Sequence, residues 1–284
     1  MSASFQAALR RGTERLRAAG VDTPRLDAEV LLMHLTGLDR TQLYVKLPDP
    51  LAPSDETRFD DLIGRRAEGE PIAYLTGSRE FMGLDFFVDR RVLIPRPETE
   101  GLVERALAWI AQQTRPLRVV DVGTGSGAIA LSIDRLARAE DRLFIIASDN
   151  SREALEVARI NRERLGARRV QFVNGSLLDW ACTPFDLIVA NLPYLRDEQR
   201  HPGIAREPDQ ALYAADRGFA LYAELLRQSS TRLAPGGLIL CEIDPDQRAR
   251  ALELAQAAHP PAAVRVEPDL AGLDRYLIVE RRPA

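Results

Sequence analysis

The sequence predicts an α/β protein in two parts. A small N-terminal helical domain precedes a mostly parallel, doubly wound sheet of seven strands, and a β-hairpin joins them. Three observations carry this prediction. From about residue 98 onward, apolar segments of strand length alternate with helical stretches. One of those strands runs into alternating glycines that open a helix. The first ~70 residues show helical spacing only. A length of 284 residues also suits about two domains.

Phe5, Leu9 and Leu16 recur at near-helical spacing and give one amphipathic face. Thr23-Pro24 has the form of a cap followed by a proline at the first helical position. Leu26, Val30, Leu31 and Leu35 carry that helix to a stop at Gly37. Ser54 is the expected cap of a further helix, with Asp55 and Glu56 in its first turn. Phe59, Leu62, Ile63 and Ala67 form its apolar face, and Gly69 ends it. No catalytic constellation falls in residues 1–78, so this domain is expected to serve substrate recognition. Phe81, Leu84, Phe86 and Val88, then Val92, Leu93 and Ile94, read as the two arms of a hairpin around Asp89-Arg90-Arg91. That hairpin linker spans 79–97 and ends at Pro95 and Pro97. In the sheet domain, 98–284, strands are expected at 117–122, 143–148, 170–173, 186–190, 238–242, 264–266 and 276–279. Helices such as 152–165 and 247–258 lie between them.

Composition excludes several classes. Hydrophobic residues at 45% and charged residues at 28% are ordinary globular usage. No apolar run approaches the ~18 residues of a membrane span. Arg10 and Arg11 interrupt the start, so no apolar signal core is expected. Cys182 and Cys241 are far apart and form no CxxC, which argues against a disulfide framework or a cysteine zinc site and fits a reducing cytoplasm. His34, His201 and His259 are scattered and read as surface or loop histidines, so no metal site is expected. A net charge of −4 disfavours coating of nucleic acid by bulk charge. Of the 38 basic residues only Lys46 is not arginine, which reads as a coding bias.

The first chemical signal is the strand Leu117–Val122 running into Gly123-Thr124-Gly125-Ser126-Gly127 and then a helix. Glycine lets a backbone approach a ligand that a Cβ would block, and a helix N-terminus offers free N–H groups. Gly123, Gly125 and Ala128 also satisfy the dinucleotide pattern G-x-G-x-x-G/A. Asp121, on the strand before the loop, would repel a pyrophosphate but suits a cationic amino-acid group. Asp149, ending the next strand, can hold two ribose hydroxyls, a place where NAD enzymes also carry an acid. The spacing D-x-G-x-G-x-G resembles the S-adenosylmethionine loop of class I methyltransferases.

The second signal follows the fourth sheet-domain strand: Asn191-Leu192-Pro193-Tyr194, at the carboxyl edge where α/β proteins bind ligands. An amide nitrogen is planar, its lone pair is delocalised, and it is a poor nucleophile. A site that methylates one needs acceptors for its two N–H bonds and a flat group to hold its plane. The Asn191 side-chain oxygen and the Leu192 carbonyl can be the acceptors, and Tyr194 can stack on the amide. The hydrogen bonds would aim the lone pair at the methyl donor. This segment resembles the (N/D)-P-P-(Y/F/W) motif of amino-methyltransferases. Leu192 stands where proline is usual; its carbonyl survives the change, and preceding Pro193 keeps it extended. Its side chain is therefore expected to matter little. Leu192→Pro is expected to be tolerated, provided that the Leu192 N–H makes no essential hydrogen bond.

Further segments resemble one family along nearly the whole chain. Pro71-Ile72-Ala73-Tyr74-Leu75-Thr76-Gly77, Arg79-Glu80-Phe81-Met82-Gly83 and Leu93-Ile94-Pro95-Arg96-Pro97-Glu98-Thr99-Glu100 look like the linker signature of the HemK/PrmC family. Arg206-Glu207-Pro208, Ala214 to Gly218 and Asp269 to Arg275 are similar to its later segments. These are protein-(glutamine-N5) methyltransferases acting on peptide-chain release factors. The resemblance implies the class I S-adenosylmethionine-dependent methyltransferase fold (Rossmann-like). It implies that Gly123, Thr124, Gly125, Ser126, Gly127, Asp149 and Asn191 hold S-adenosylmethionine, and that Leu177 packs the adenine. Asn191, Leu192, Pro193 and Tyr194 would hold the substrate glutamine, with Asn191 and Tyr194 as the catalytic pair. Ser176 stands where an acid is common, and the Glu242-Ile243-Asp244 segment lacks the usual glycines and reads as structural. The implied substrate is the glutamine of the Gly-Gly-Gln motif in a bacterial class-I release factor, making the enzyme part of translation termination. The alternatives are glutamine methylation of a ribosomal protein, adenine-N6 methylation of nucleic acid, an NAD oxidoreductase, and a binding module without chemistry.

Overall fold

The computed structural model describes residues 3–139 and 142–283. The chain separates into two compact units. One holds the residues up to Ser78 together with Pro202–Arg206; the other holds Arg79–His201 and the chain from Glu207 onward.

The first unit contains α1 (Phe5–Ala18), α2 (Pro24–Thr36), α3 (Arg40–Val45), α4 (Pro53–Ala67) and α5 (Ile72–Thr76). Leu9 and Leu16 of α1, Leu31 and Leu32 of α2, and Phe59 and Ile63 of α4 share one core. Gly37, with φ 68°, closes α2 by returning its N–H to the Met33 carbonyl. Two caps differ from the sequence expectation. Thr23 is the N-cap of α2, but its hydroxyl donates to Asp27 Oδ1 at 2.7 Å instead of accepting from the helix. The fourth helix starts at Pro53, with Ala52 as N-cap, so Ser54 lies inside the first turn. Proline at the first helical position is already preset for the helix and needs no donor there.

The second unit opens with β1 (Arg79–Phe81) and β2 (Leu84–Phe86), then α6 (Pro97–Ala111). The hairpin turn is Met82-Gly83, where both residues have positive φ, 55° and 73°. This corrects the expected turn at Asp89-Arg90-Arg91, with Val92 to Ile94 as second arm. A two-residue turn with both φ positive matches the twist of the strands. Residues 92–94 form no strand, and Asp89 and Arg91 close a separate bend through their ion pair at 2.6 Å. Phe81 and Phe86 meet edge to face at 6.0 Å and enter the core beneath α6.

The sheet follows as β3 (Leu117–Val122), α7 (Ala128–Leu136), β4 (Leu143–Asp149), α8 (Arg152–Leu165), β5 (Val170–Asn174) and β6 (Phe185–Ala190). After β6 come two short helices, α9 (Asp209–Leu212) and α10 (Ala215–Gly218), then α11 (Ala220–Arg232), β7 (Leu233–Glu242), α12 (Arg248–Ala258), β8 (Ala263–Pro268) and β9 (Asp274–Glu280). The strand order is β5-β4-β3-β6-β7-β9-β8; β9 runs antiparallel to both neighbours and the remaining pairs are parallel. Each central strand is buried on both faces. Val119, Leu187 and Leu240 face the α6–α7 side, while Val120, Ile188 and Ile239 face α11 and α12. His259 is a correction: it is buried, with Nε2 2.9 Å from Ser229 Oγ, so it is a satisfied core histidine instead of a surface one. Among the described residues no helix is long and apolar enough to cross a membrane.

Candidate active site

The order of strands reverses between β3 and β6, and ligands of open α/β sheets bind at such a switch point. In register, Val122 pairs with Ala190, so the glycine loop and Asn191 leave the sheet side by side. A cleft with about 1000 Å³ of open space, its mouth included, lies over these ends. Gly123, Thr124, Gly125, Ser126, Asp149, Leu177, Asn191, Leu192 and Pro193 line it. Gly127 and Tyr194 are not on its wall. Gly127 instead caps α7 with φ 85°, where an added Cβ would meet Leu131 Cδ1 at 2.8 Å. Ser176 and Asn150 also line the cleft, as do Val92, Leu93, Pro95, Arg96 and Thr99 from the segment after the hairpin.

The loop's own N–H groups are largely turned inward. Gly123 and Thr124 both donate to the Ser148 carbonyl at 2.9 Å, and Gly125 donates to Asp149 Oδ2 at 2.9 Å. A pyrophosphate-binding loop needs such donors for its ligand, so the geometry disfavours the dinucleotide alternative. Asp149 is held at its other oxygen by the Ser151 N–H at 2.8 Å, and burial raises its pKa.

The loop fits a nucleoside that carries an amino-acid chain, such as S-adenosylmethionine. Gly125 has φ 55°, and an added Cβ would meet no protein atom within 4 Å, which leaves open space on the cleft side. Asp121 is wholly buried; its Oδ2 accepts from Thr124 Oγ1 at 2.6 Å and from the Ala130 N–H at 3.1 Å. Its Oδ1 has no partner among the described residues. Burial pushes its pKa up to about 7, a cost that a nearby cation would relieve. Leu177 adopts φ 49°, a conformation that residues other than glycine and asparagine rarely hold. Its carbonyl is anchored by the Trp180 indole N–H at 2.9 Å, and the Leu178 N–H by Gln228 Oε1 at 2.7 Å. Backbone strain of this kind concentrates at ligand sites.

The Asn191 side chain is fixed by its amide nitrogen. Nδ2 donates to Thr99 Oγ1 at 3.0 Å and to Glu242 Oε2 at 3.1 Å, and the Thr99 hydroxyl itself donates to Glu242 Oε2 at 2.7 Å. No described residue donates to Asn191 Oδ1. Tyr194 Oη donates to Glu242 Oε1 at 3.2 Å, and burial beside that carboxylate raises the tyrosine pKa well above its usual value. Glu242 is 1% exposed, and burial raises its own pKa. Leu192 differs from expectation. Its N–H donates to Tyr222 Oη at 3.1 Å, and its side chain is 4% exposed beneath Gly123. Tyr222 in turn donates to the Glu242 carbonyl, with the Leu192 carbonyl 3.2 Å away. Glu207 receives the Ile94 N–H at 3.0 Å and the Arg96 guanidinium, which fixes the cleft wall.

Sequence reasoning missed Thr99, Tyr222 and the role of Glu242. Glu242 ends β7 at the same carboxyl edge where Asp149 ends β4, and that shared position was the available signal. Tyr222 and Thr99 meet the loop only through folding, at separations of 30 and 92 residues.

Comparison with known proteins follows the same lines. Residues 7–77 match the PrmC N-terminal domain, and residues 113–264 match a methyltransferase domain family. Two solved structures share the fold: a methyltransferase from Pyrococcus furiosus and an S-adenosylmethionine-dependent methyltransferase from Agrobacterium tumefaciens. The first has TM-score 0.53 and 19% identity, covering 77% of this chain and 98% of that one. The second has TM-score 0.50 and 16% identity, covering 73% and 70%. The release factor glutamine methyltransferase of Deinococcus radiodurans is 40% identical over 96% of this chain and 97% of its own length. That of Moorella thermoacetica is 41% identical over 98% and 99%. That of Escherichia coli K12 is 40% identical over 84% and 85%. With a glycine loop and an anchored Asn191 at one switch point, and with relatives this similar over nearly its whole length, the chain belongs to the release factor glutamine methyltransferase family.

Proposed function

We propose that this protein transfers a methyl group from S-adenosylmethionine to the side-chain N5 of the glutamine in the Gly-Gly-Gln motif of bacterial class-I release factors. The observation that carries the reading is the anchoring of Asn191: its amide hydrogens are committed to Thr99 and Glu242, which reserves Oδ1 for a donor from outside. A glutamine amide brings such a donor. S-adenosylmethionine supplies an electrophilic methyl on a sulfonium centre, whose bonding pair leaves with sulfur.

This chain's residues perform the positioning. Asn191 Oδ1 accepts one amide N–H. The Leu192 carbonyl, with two lone pairs and one taken by the Tyr222 hydroxyl among the described residues, accepts the other. Holding both hydrogens fixes the plane of the amide and turns its lone pair toward the methyl donor. No base is needed before attack, because the proton leaves the nitrogen for solvent water in the open cleft after the nitrogen has gained the methyl group. Asp149 takes the ribose hydroxyls, Gly123 to Ser126 take the amino-acid end while Gly127 shapes the loop as the cap of α7, and Leu177 packs the adenine. Tyr194 supports the Asn191 loop through Glu242. Residues 1–78 recognise the release factor, residues 79–97 link and shape the cleft, and residues 98–284 carry the chemistry. The two thiols are free, Cys182 exposed and Cys241 buried, which suits the reducing cytoplasm where we place the reaction. No stable nucleic-acid or membrane binding is part of this reading.

The test is transfer of labelled methyl from S-adenosylmethionine to purified release factor, with mapping of the modified residue. Label on the Gly-Gly-Gln glutamine is expected. Label that instead enters a ribosomal protein or adenine in nucleic acid would replace the release factor as substrate.

A further inference from the structure

We propose that Glu242 is a positioning residue: its buried carboxylate, together with Thr99, holds the Asn191 amide in the orientation that offers Oδ1, and not Nδ2, to the substrate. The inference rests on the reading of Asn191 as the acceptor for the glutamine amide.

The two ends of an asparagine amide have nearly the same shape, and only hydrogen bonding tells them apart. A turn of 180° about the last side-chain bond would present N–H donors to the substrate's own N–H, and the acceptor would be gone. What fixes the choice is the polarity of a three-membered cluster. An ionised carboxylate only accepts. Thr99 Oγ1 therefore donates to Glu242 Oε2 at 2.7 Å, and its lone pairs receive Asn191 Nδ2 at 3.0 Å. Nδ2 completes the ring by donating to the same carboxylate oxygen at 3.1 Å. In the turned-over orientation Oδ1 would face that oxygen, acceptor against acceptor.

The three partners come from separate elements: Thr99 from α6, Asn191 from the end of β6 and Glu242 from the end of β7. Tyr194 Oη occupies the other carboxylate oxygen at 3.2 Å. A carboxylate that is 1% exposed is costly unless its acceptor sites are filled, and this one is filled by groups that line or flank the cleft. The strand end alone would be satisfied by a hydrophobic residue such as those preceding it in β7.

A merely structural staple and an orienting group differ in one respect: the orienting role survives reversal of the cluster's polarity. In the double variant Asn191→Asp with Glu242→Gln, the Gln amide donates to the Asp carboxylate. Thr99 then donates to Asp and accepts from Gln, so one Asp oxygen still faces outward as acceptor. Single-turnover methyl transfer to release factor at saturating S-adenosylmethionine is the readout. Asn191→Asp alone sets two carboxylates together and is expected to lose about 100-fold or more, the scale of one lost preorganised contact. The double variant is expected to recover at least tenfold over Asn191→Asp. Glu242→Leu is expected to lose about 100-fold in rate, with cofactor affinity within threefold of wild type. A double variant that recovers less than tenfold over Asn191→Asp overturns the inference.

A second readout needs no activity. In protein labelled with ¹⁵N-asparagine, the Asn191 Nδ2 protons are expected to exchange slowly in wild type and to lose that protection in Glu242→Leu. Equal protection in both overturns the inference. If wild type transfers no methyl to release factor, the substrate reading falls, and the exchange result alone decides the role of Glu242.

Discussion

The Leu192 N–H meets the Tyr222 hydroxyl, and the leucine side chain fills space directly under the glycine loop. The condition attached to Leu192→Pro is therefore not met: the change deletes a buried hydrogen bond, worth about 0.5–1.5 kcal/mol. Tyr222 keeps the Glu242 carbonyl as acceptor, so the loss should stay within that range. Leu192→Ala opens a cavity at a 4% exposed site and should cost roughly 2–5 kcal/mol. Chemical denaturation of both variants checks the ranking, and a proline variant less stable than the alanine variant contradicts it. Methyl transfer should change little in Leu192→Pro, because the carbonyl that receives the substrate remains. Asp149 is equally local. Asp149→Ala removes the ribose acceptor and also frees the Gly125 and Ser151 N–H groups. Affinity for S-adenosylmethionine should fall by roughly 1.5–3 kcal/mol, the scale of a charge-assisted bond, while the fold persists. Calorimetric titration with unchanged affinity would remove Asp149 from the site.

Between elements, one buried asparagine joins three. Asn161 of α8 accepts from the Phe87 N–H at 2.7 Å and donates to the Phe87 carbonyl at 2.9 Å, just after β2. It also donates to the Ser126 carbonyl of the glycine loop at 2.9 Å. Asn161→Ala strands these groups in the interior, at about 1–3 kcal/mol for each left unsatisfied. The variant should unfold at lower denaturant and bind S-adenosylmethionine more weakly, since the loop loses a tether. Normal affinity in a destabilised variant would mean that the tether holds the fold alone. The same scale explains what the sequence made legible. The central strands were readable because they are apolar runs buried on both faces, the half-exposed edge strands β5 and β8 through their valines, and the expected spans fall within the observed ones. β7 starts five residues earlier than expected, since Leu233 to Gly237 lacks that texture. The hairpin turn was misplaced because Asp89-Arg90-Arg91 is polar, whereas the actual turn is set by backbone conformation at Met82 and Gly83. The glycine loop, Asp149 and Asn191 were legible as residues leaving strand ends on one edge. Tyr222, Thr99 and Asn161 act through contacts spanning 30 to 143 positions, which no local pattern encodes.

Across the whole molecule, the helical unit has its own core from Phe5 to Leu75, separate from the two cores flanking the sheet. A chain beginning at Arg79 should therefore still bind S-adenosylmethionine while losing methylation of intact release factor; full activity on the intact factor would refute a recognition role for residues 1–78. Stability of the sheet unit should also carry the mark of Asp121. Its carboxyl titrates near 3.8 in an unfolded chain and is pushed up to about 7 by burial in the fold. Between those pH values the native state holds a proton that the unfolded chain has released, so stability falls as pH rises. The contribution is complete below about pH 4, declines through the window, and is gone above about pH 7. At 1.36 kcal/mol per unit, the span is on the order of 4 kcal/mol. Raised carboxyls at Asp149 and Glu242 act in the same direction, whereas Asp89, held low by Arg91, and Glu29, held low by the Tyr44 hydroxyl and Arg25, act in the opposite one. The wild-type curve alone therefore mixes signs, and the difference between wild type and Asp121→Asn isolates the group. That difference should move in favour of the variant by a few kcal/mol between pH 4 and 7 and stay flat above. Saturating S-adenosylmethionine should shrink it, if the cofactor's ammonium group keeps Asp121 ionised. Parallel stability curves for the two proteins would show that Asp121 titrates no differently in the fold, and its orphaned oxygen would then have no electrostatic consequence.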